Sequence, residues 1–60
     1  SQLLTAVIEQ AKHAGYKQVF LHAQVNVIGF YLQHGFIAEG DVFIDAGIEH
    51  CSMRISLDDR

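Results

Sequence analysis

Four histidines are the side chains of this sequence that could most directly bind a metal ion: His13, His22, His34 and His50. Imidazole is a common ligand for zinc and related metals. However, no two of them stand three or four residues apart on one predicted helix, and the sequence holds a single cysteine. His13 and His34 lie close to glycines that end helices, where a cation complements the helix dipole. The sequence therefore predicts no metal site.

Tyr31 and Gln24 are two further side chains whose types could take part in a reaction. A tyrosine hydroxyl can donate a proton to a leaving group, and a glutamine amide can both donate and accept hydrogen bonds. Taken alone, Tyr31 has the helical spacing from Val27 and Ile28 that is typical of a core aromatic residue. Asn26 is interpreted as a polar residue in the first turn of a helix.

The composition is that of a globular chain with few basic residues. Half of the 60 residues are apolar, none is proline, and four Lys and Arg leave a formal net charge of −3. Because no basic stripe could neutralise phosphates, we expect no nucleic-acid partner. No apolar run is long enough to span a membrane and no targeting signal is visible, so we expect no membrane partner. The single cysteine favours a reducing, cytoplasmic setting.

Apolar spacing predicts an amphipathic helix over residues 3–14, ended by Gly15 in a left-handed conformation. The segment 16–22 follows and contains three consecutive apolar residues. Such a run is typical of an interior strand that is covered on both faces and paired in parallel. Sixty residues can barely supply the neighbouring strands, and a core this small is marginal. The sequence therefore favours a part of a longer polypeptide.

The second half of the sequence predicts a helix followed by a hairpin. Apolar spacing indicates the helix over residues 25–34, with Gly35 at its end. Two extended runs, 37–45 and 50–57, are expected to pair as an antiparallel hairpin around a turn at 46–49. In the last run apolar and polar residues alternate, which gives one dry face and one wet face. The fold class is therefore α+β with a mixed sheet, in the order helix, strand, helix, hairpin.

This order of elements, with the residues at its joints, resembles the C-terminal half of the GNAT superfamily of N-acetyltransferases. The resemblance is carried by Gly15-Tyr16, Leu21-His22-Ala23-Gln24 and Phe30-Tyr31-Leu32-Gln33-His34-Gly35-Phe36. In that family acetyl-CoA lies in a cleft between two splayed parallel strands. The resemblance covers nearly the whole chain. It implies that residues 1–60 are the C-terminal part of one acetyltransferase domain whose N-terminal half lies outside the chain.

The resemblance also implies a reaction and roles for four residues. The complete protein would transfer an acetyl group from acetyl-CoA to a primary amine, in a small molecule or a peptide, by direct attack. Tyr31 matches the family tyrosine that contacts the cofactor and protonates the departing thiolate. Gln24 stands where many members carry Asn and would bind the pantetheine arm. Ser1 and Gln2 represent the end of the phosphate-binding loop that leads into the first helix.

The segment from Asp45 to His50, followed by Met53-Arg54, resembles the ElaA-like branch of the superfamily. Members of that branch commonly read Glu-x-Gly-Ile-Pro-His at this hairpin. Here Asp45 replaces the Glu and Glu49 replaces the Pro, which predicts a looser turn. Asp45 and His50 are expected to form a charge-assisted pair across the turn, on the acceptor side of the cleft.

A non-catalytic interaction module is the alternative reading of the same residues. The strand at 16–22 would present an apolar edge, and such edges attract another strand. A second copy of the chain, or the missing N-terminal half, would then complete the sheet. A stable dimer that is indifferent to acetyl-CoA would indicate the module, whereas stabilisation by acetyl-CoA would indicate the enzyme.

Overall fold

The computed structural model describes residues 2–57, which form two helices packed on one three-stranded sheet. The elements are helix α1 (Gln2–His13), strand β1 (Gln18–Gln24), a 3₁₀ helix (Val25–Val27), helix α2 (Ile28–Gln33), strand β2 (Ile37–Asp45) and strand β3 (Ile48–Ser56). The predicted α+β class and the order helix, strand, helix, hairpin are confirmed. Ser1, which was predicted to contribute to the phosphate-binding loop, lies outside the described residues.

Both helices end at a glycine in the left-handed region of φ. Gly15 and Gly35 have φ of 87° and 95°. After α2 the N–H of Phe36 donates to the Tyr31 carbonyl at 3.1 Å, and an equivalent bond follows α1. This is the Schellman arrangement, which satisfies carbonyls that the helix leaves unpaired. The predicted glycine caps are confirmed, and the second cap ties Tyr31 to the start of the next segment.

Strand β1 lies at one edge of the sheet, whose order is β1-β3-β2 with both pairings antiparallel. The prediction of a parallel strand covered on both faces is therefore wrong for the part of the chain that the structure describes. Val19 and Leu21 pack toward the helices, while Phe20 points to the other face and is 58% exposed. Consecutive apolar residues place side chains on both faces, but α1 and α2 cover only one.

The core lies between the helices and the central strand β3. Ala23, Phe36 and Met53 form its buried centre, with Met53 fully inaccessible. Four partly buried side chains of the helices pack against this centre: Leu4, Ile8, Ile28 and Tyr31. Along β3 the predicted alternation is confirmed, since Cys51 and Met53 are buried while the intervening residues are only partly so.

The hairpin turn contains only two residues, which corrects the prediction of a looser turn. Asp45 pairs with Ile48, and the connecting Ala46 and Gly47 have φ of 54° and 77°. Positive φ at both positions is the signature of a type I′ turn, whose twist matches that of the flanking strands. Glu49 consequently lies within β3 and not in the turn.

Alanine substitution at two glycines tests this turn geometry. A Cβ at Gly47 or at Gly29 would have no heavy atom within 4 Å, so steric clash contributes nothing at either position. Gly47→Ala forces a second side chain into the left-handed region and is expected to destabilise the protein by about 1 kcal/mol. Gly29→Ala, within α2, is expected to stabilise it by about 0.5 kcal/mol.

Urea unfolding of the two variants beside wild type measures both effects. Opposite shifts of the midpoint are expected. A Gly47→Ala variant as stable as wild type would contradict the type I′ turn.

Candidate functional site

A cavity of about 290 Å³ opens where β1 ends and β3 begins. Antiparallel pairing brings these strand ends together, because Gln24 is the register partner of His50. The lining residues are Gln24, Val25, Asn26, Ile48 and Glu49. The residues at the cavity are therefore two with carboxamide side chains, one with a carboxylate and two aliphatic ones, and they include the predicted cofactor residue Gln24.

The chain geometry after β1 leaves the amide of Gln24 available. Gln24 keeps an extended backbone, with φ −60° and ψ 142°, immediately before the 3₁₀ helix. Its side chain makes no capping hydrogen bond to that helix. Asn26 lies inside the 3₁₀ helix, as its interpretation as a helical polar residue predicted, and it is also one of the residues that line the cavity. The Gln24 carboxamide is therefore available to a ligand here.

Tyr31 is held by aromatic contacts in α2, on the covered face of the sheet. Its ring meets those of Phe30 and Phe36 edge to face, with centroid distances of 5.1 and 5.6 Å. Such pairs fix ring orientation. The hydroxyl forms no hydrogen bond with any residue in 2–57, although the Tyr31 carbonyl accepts two. The neighbouring rings therefore fix the orientation of the Tyr31 ring, while its hydroxyl makes no hydrogen bond within the described chain.

Asp45 and His50 do not form the predicted pair. The two-residue turn sets Asp45 opposite Ile48 and His50 opposite Phe43, so the two side chains are not register partners. His50 Nδ1 lies 2.8 Å from the Ile48 carbonyl oxygen and can donate to it, and its ring stacks on Phe43 at 5.9 Å. Neither residue forms an ion pair within residues 2–57. The error follows directly from predicting a longer turn.

The start of α1 suits an anionic ligand. Gln2 begins the helix, and its first turn contains no acidic residue. Free backbone N–H groups and the positive end of the helix dipole favour phosphate at such a terminus. Residues 14–17 reverse the chain between α1 and β1, and Leu4 packs on the cluster containing Ala23. The start of α1 therefore lies toward the end of β1 that carries Gln24.

Comparison with known proteins decides the family. A sequence model described as the acetyltransferase (GNAT) domain matches residues 1–57. The chain belongs to the GNAT acetyltransferase family. Since the match covers almost the whole chain, the GNAT resemblance predicted from the segments around Gly15, Gln24 and Tyr31 is confirmed.

Solved structures agree with the GNAT assignment. The chain is similar to an acyl-CoA N-acyltransferase from Pseudomonas aeruginosa, with a TM-score of 0.84, 29% identity and coverage of 90% of this chain and 37% of that one. It is also similar to Escherichia coli ElaA, with a TM-score of 0.81, 33% identity and coverage of 90% and 36%. This similarity agrees with the predicted ElaA-like character of the hairpin.

A Lactobacillus plantarum protein whose assignment as an N-acetyltransferase is provisional gives a TM-score of 0.89, with 27% identity and coverage of 93% of this chain and 38% of that one. The GNAT chain therefore spans less than two-fifths of the length of each of these three structures. Its fold is nevertheless shared with them over nearly all of its own length.

Within residues 2–57 no three His, Cys, Asp or Glu side chains are grouped so that they could hold a metal ion. Neither described helix has the length and apolar character needed to cross a bilayer.

Glu49 is the charged residue among those at the cavity that sequence reasoning did not assign to the site. The substitution of Glu for the proline common in the ElaA-like branch was its only signal, and it was interpreted as a change in the turn. Because the turn is complete at Gly47, Glu49 is instead a strand residue opposite Ile44, and it is one of the residues that line the cavity. Register, and not residue type, brings it to the site.

Proposed function

We propose that the complete protein is an N-acetyltransferase that transfers an acetyl group from acetyl-CoA to a primary amine by direct attack. The observation that carries this proposal is the setting of Tyr31 in a chain of the GNAT family. Its ring is fixed by two aromatic neighbours, and its hydroxyl has no partner among residues 2–57. A positioned, unengaged donor is what protonation of a leaving group requires.

In the proposed reaction the neutral amine nitrogen attacks the thioester carbonyl carbon. The carbon–sulfur bond breaks, and the Tyr31 hydroxyl gives its proton to the departing thiolate. The proton that the new amide nitrogen loses passes to solvent, from which Tyr31 is reprotonated. Holding both substrates in one cleft supplies much of the rate, because it turns a bimolecular encounter into an oriented one. No covalent intermediate with the protein is required.

Acetyl-CoA binding is assigned to the start of α1 and to the end of β1. The α1 N-terminus, with Gln2 and the adjacent Ser1, would hold the pyrophosphate through backbone N–H groups. The Gln24 carboxamide, which makes no hydrogen bond within the described chain, would bind the amides of the pantetheine arm. Because the start of α1 lies toward the end of β1 that carries Gln24, these residues suit an extended ligand with one anionic part and one amide-containing part.

Calorimetric titration with acetyl-CoA tests this binding mode. Gln24→Ala removes a neutral hydrogen-bonding group and is expected to raise the Kd for acetyl-CoA by about three- to tenfold. Gln18→Ala, at the opposite end of the same strand, is the matched control and is expected to leave the Kd unchanged. Equal Kd values for wild type and Gln24→Ala would show that Gln24 does not bind the cofactor. Absence of any acetyl-CoA binding would contradict the proposed enzymatic function.

A sheet-completing interaction module is a second candidate function, favoured by one observation. The outer edge of β1 has no strand partner among residues 2–57, and Phe20 on this strand is 58% exposed. Unpaired edges of this kind pair readily with another strand. Sedimentation with and without acetyl-CoA separates the candidates, because a dimer that ignores the ligand and a protein without transferase activity would together support the module.

A further inference from the structure

His50 lies in a row of three side chains across the open face of the sheet, the face that α1 and α2 do not cover. In the register of the strands His50 is the partner of Gln24 on β1 and of Phe43 on β2. Directly opposite residues have their side chains on one face, with Cβ atoms roughly 4.5–5.5 Å apart. Cys51, the next residue along β3, is buried and belongs to the covered face. His50 is therefore the immediate neighbour of the proposed cofactor residue Gln24.

The ring of His50 is held in one orientation and one tautomer. Its Nδ1 lies 2.8 Å from the carbonyl oxygen of Ile48, and because a carbonyl can only accept, Nδ1 carries the proton. The ring also stacks on Phe43, with centroids 5.9 Å apart and an angle of 23° between the ring planes. In the neutral imidazole Nε2 keeps its lone pair, and it makes no hydrogen bond within residues 2–57. The side chain is therefore arranged as a proton acceptor.

The proposed reaction needs a proton acceptor as well as the proton donor Tyr31. Aliphatic amines are mostly protonated at neutral pH, and only the neutral nitrogen has a lone pair that can attack a thioester. In acetyl-CoA the amide nearest the sulfur is separated from it by two methylene groups. An amide bound by Gln24 therefore places the thioester within a few bonds of that side chain, and so beside His50.

No other histidine of the described chain combines these features. His22 lies on the same face, but it is opposite Ser52 and two positions farther from the end of β1. His34 follows α2 on the covered side of the sheet, and His13 ends α1, close to the start of β1. Only His50 has both an anchored Nδ1 and a position directly beside Gln24.

On the basis of the proposed N-acetyltransferase function, we propose that His50 is the general base of acetyl transfer. Its Nε2 takes the proton that the attacking amine nitrogen loses and then passes it to solvent. The nitrogen–carbon bond forms, the carbon–sulfur bond breaks, and the thiolate takes the proton of the Tyr31 hydroxyl. Tyr31 packs with Ala23 on the covered face, whereas His50 lies beside Gln24 on the open face. Acid and base therefore act from opposite faces at one strand end, and the acceptor amine approaches from the open face.

Two titratable side chains besides His50 lie on this part of the open face. His22 on β1 contacts the Phe43 ring, with centroids 5.1 Å apart. Asp45 follows Phe43 by two positions on β2 and so has its side chain on the same face. The other same-face neighbours of His50 do not titrate: Gln24, Ile48 and Ser52. A pH dependence that belongs to His50 must therefore persist when His22 is replaced.

Replacement of His50 by alanine tests the assignment in the complete protein. Rates are measured over a range of pH with butylamine and with Nα-acetyl-lysine amide, which represent small and peptide-like primary amines. His50→Ala is expected to lower kcat about 10²-fold, to leave the Kd for acetyl-CoA unchanged and to lose one of the proton dissociations that limit the rate at low pH. Added imidazole is expected to raise the rate of His50→Ala about tenfold, which it could not do for a structural residue.

His22→Gln is the matched control, because it removes a histidine from the same face and is expected to keep the rate and pH profile of wild type. A His50→Ala variant with the kcat of wild type, or one that imidazole does not accelerate, would overturn the assignment while leaving the transferase function intact. If His50→Ala does not fold, His50→Gln gives the same comparison of kcat and pH profile. A wild type that acetylates no primary amine would overturn the proposed function and this assignment together.

Discussion

Replacement of Tyr31 by Phe is expected to lower kcat for acetyl transfer by about 10²- to 10⁴-fold, the usual contribution of a positioned general acid. The substitution removes only the hydroxyl. The edge-to-face contacts of the ring with Phe30 and Phe36 are retained, so the fold should be unchanged. Steady-state rates over a range of pH, together with the Kd for acetyl-CoA, measure the effect and separate chemistry from binding.

Tyr16→Phe is the matched control for this experiment. Tyr16 is 67% exposed and follows the cap of α1, so loss of its hydroxyl is expected to leave kcat unchanged. A Tyr31→Phe variant with the rate and pH dependence of wild type would remove Tyr31 from the reaction. A variant with weakened acetyl-CoA binding and an unchanged kcat would make it a binding residue only.

Truncation of Phe36 is expected to produce the largest loss of stability, about 3–5 kcal/mol for Phe36→Ala. Phe36 is 1% exposed, and it is packed in the core with Ala23 and Met53. Removal of its ring leaves a cavity at the junction of α2 and the sheet. It also removes one of the two aromatic rings that orient Tyr31. The free energy of unfolding, obtained from urea titration of the complete protein, measures the loss.

Leu32→Ala provides the surface comparison for Phe36→Ala. Leu32 lies in α2 and is 52% exposed, so its truncation is expected to cost less than about 1 kcal/mol. Similar losses for the two variants would contradict the described core. If Phe36→Ala is too unstable to purify, Phe36→Leu should show a smaller loss in the same direction, since it preserves much of the buried volume.

Local features of the sequence predicted most of the fold, because they depend on neighbours in the chain. Apolar spacing indicated α1 within one residue at each end, and the cap at Gly35 followed from the preference of glycine for positive φ. The alternation around Met53 correctly separated the two faces of β3. Each of these signals involves residues only a few positions apart.

Features that depend on pairing between distant segments were not predicted. The apolar run around Phe20 indicated a strand, but its antiparallel partner β3 begins 30 positions after β1 does, at Ile48. Similarly, the sequence suggested that Asp45 faces His50, whereas the two-residue turn places Asp45 opposite Ile48, two positions before His50. A change in turn length alters every cross-strand contact of a hairpin.

Only part of the candidate site was predicted from the sequence, for the same reason. Gln24 and Tyr31 belong to a local pattern around one strand end and one helix, and family resemblance was sufficient to single them out. Glu49 reaches the cavity only through the register of β3 against β1 and β2. The spacing of residues within 45–50 does not indicate that Glu49 lies near the end of β1.

The most direct test of the account is an assay of the complete protein with acetyl-CoA and a set of primary amines. We expect free CoA thiol to appear only when an amine is present, together with an equal amount of acetylated amine. Initial rates at varied concentrations of both substrates should give intersecting reciprocal plots, as direct attack in a ternary complex requires. Parallel plots would contradict direct attack, and no amine-dependent thiol release would contradict the assignment as an N-acetyltransferase.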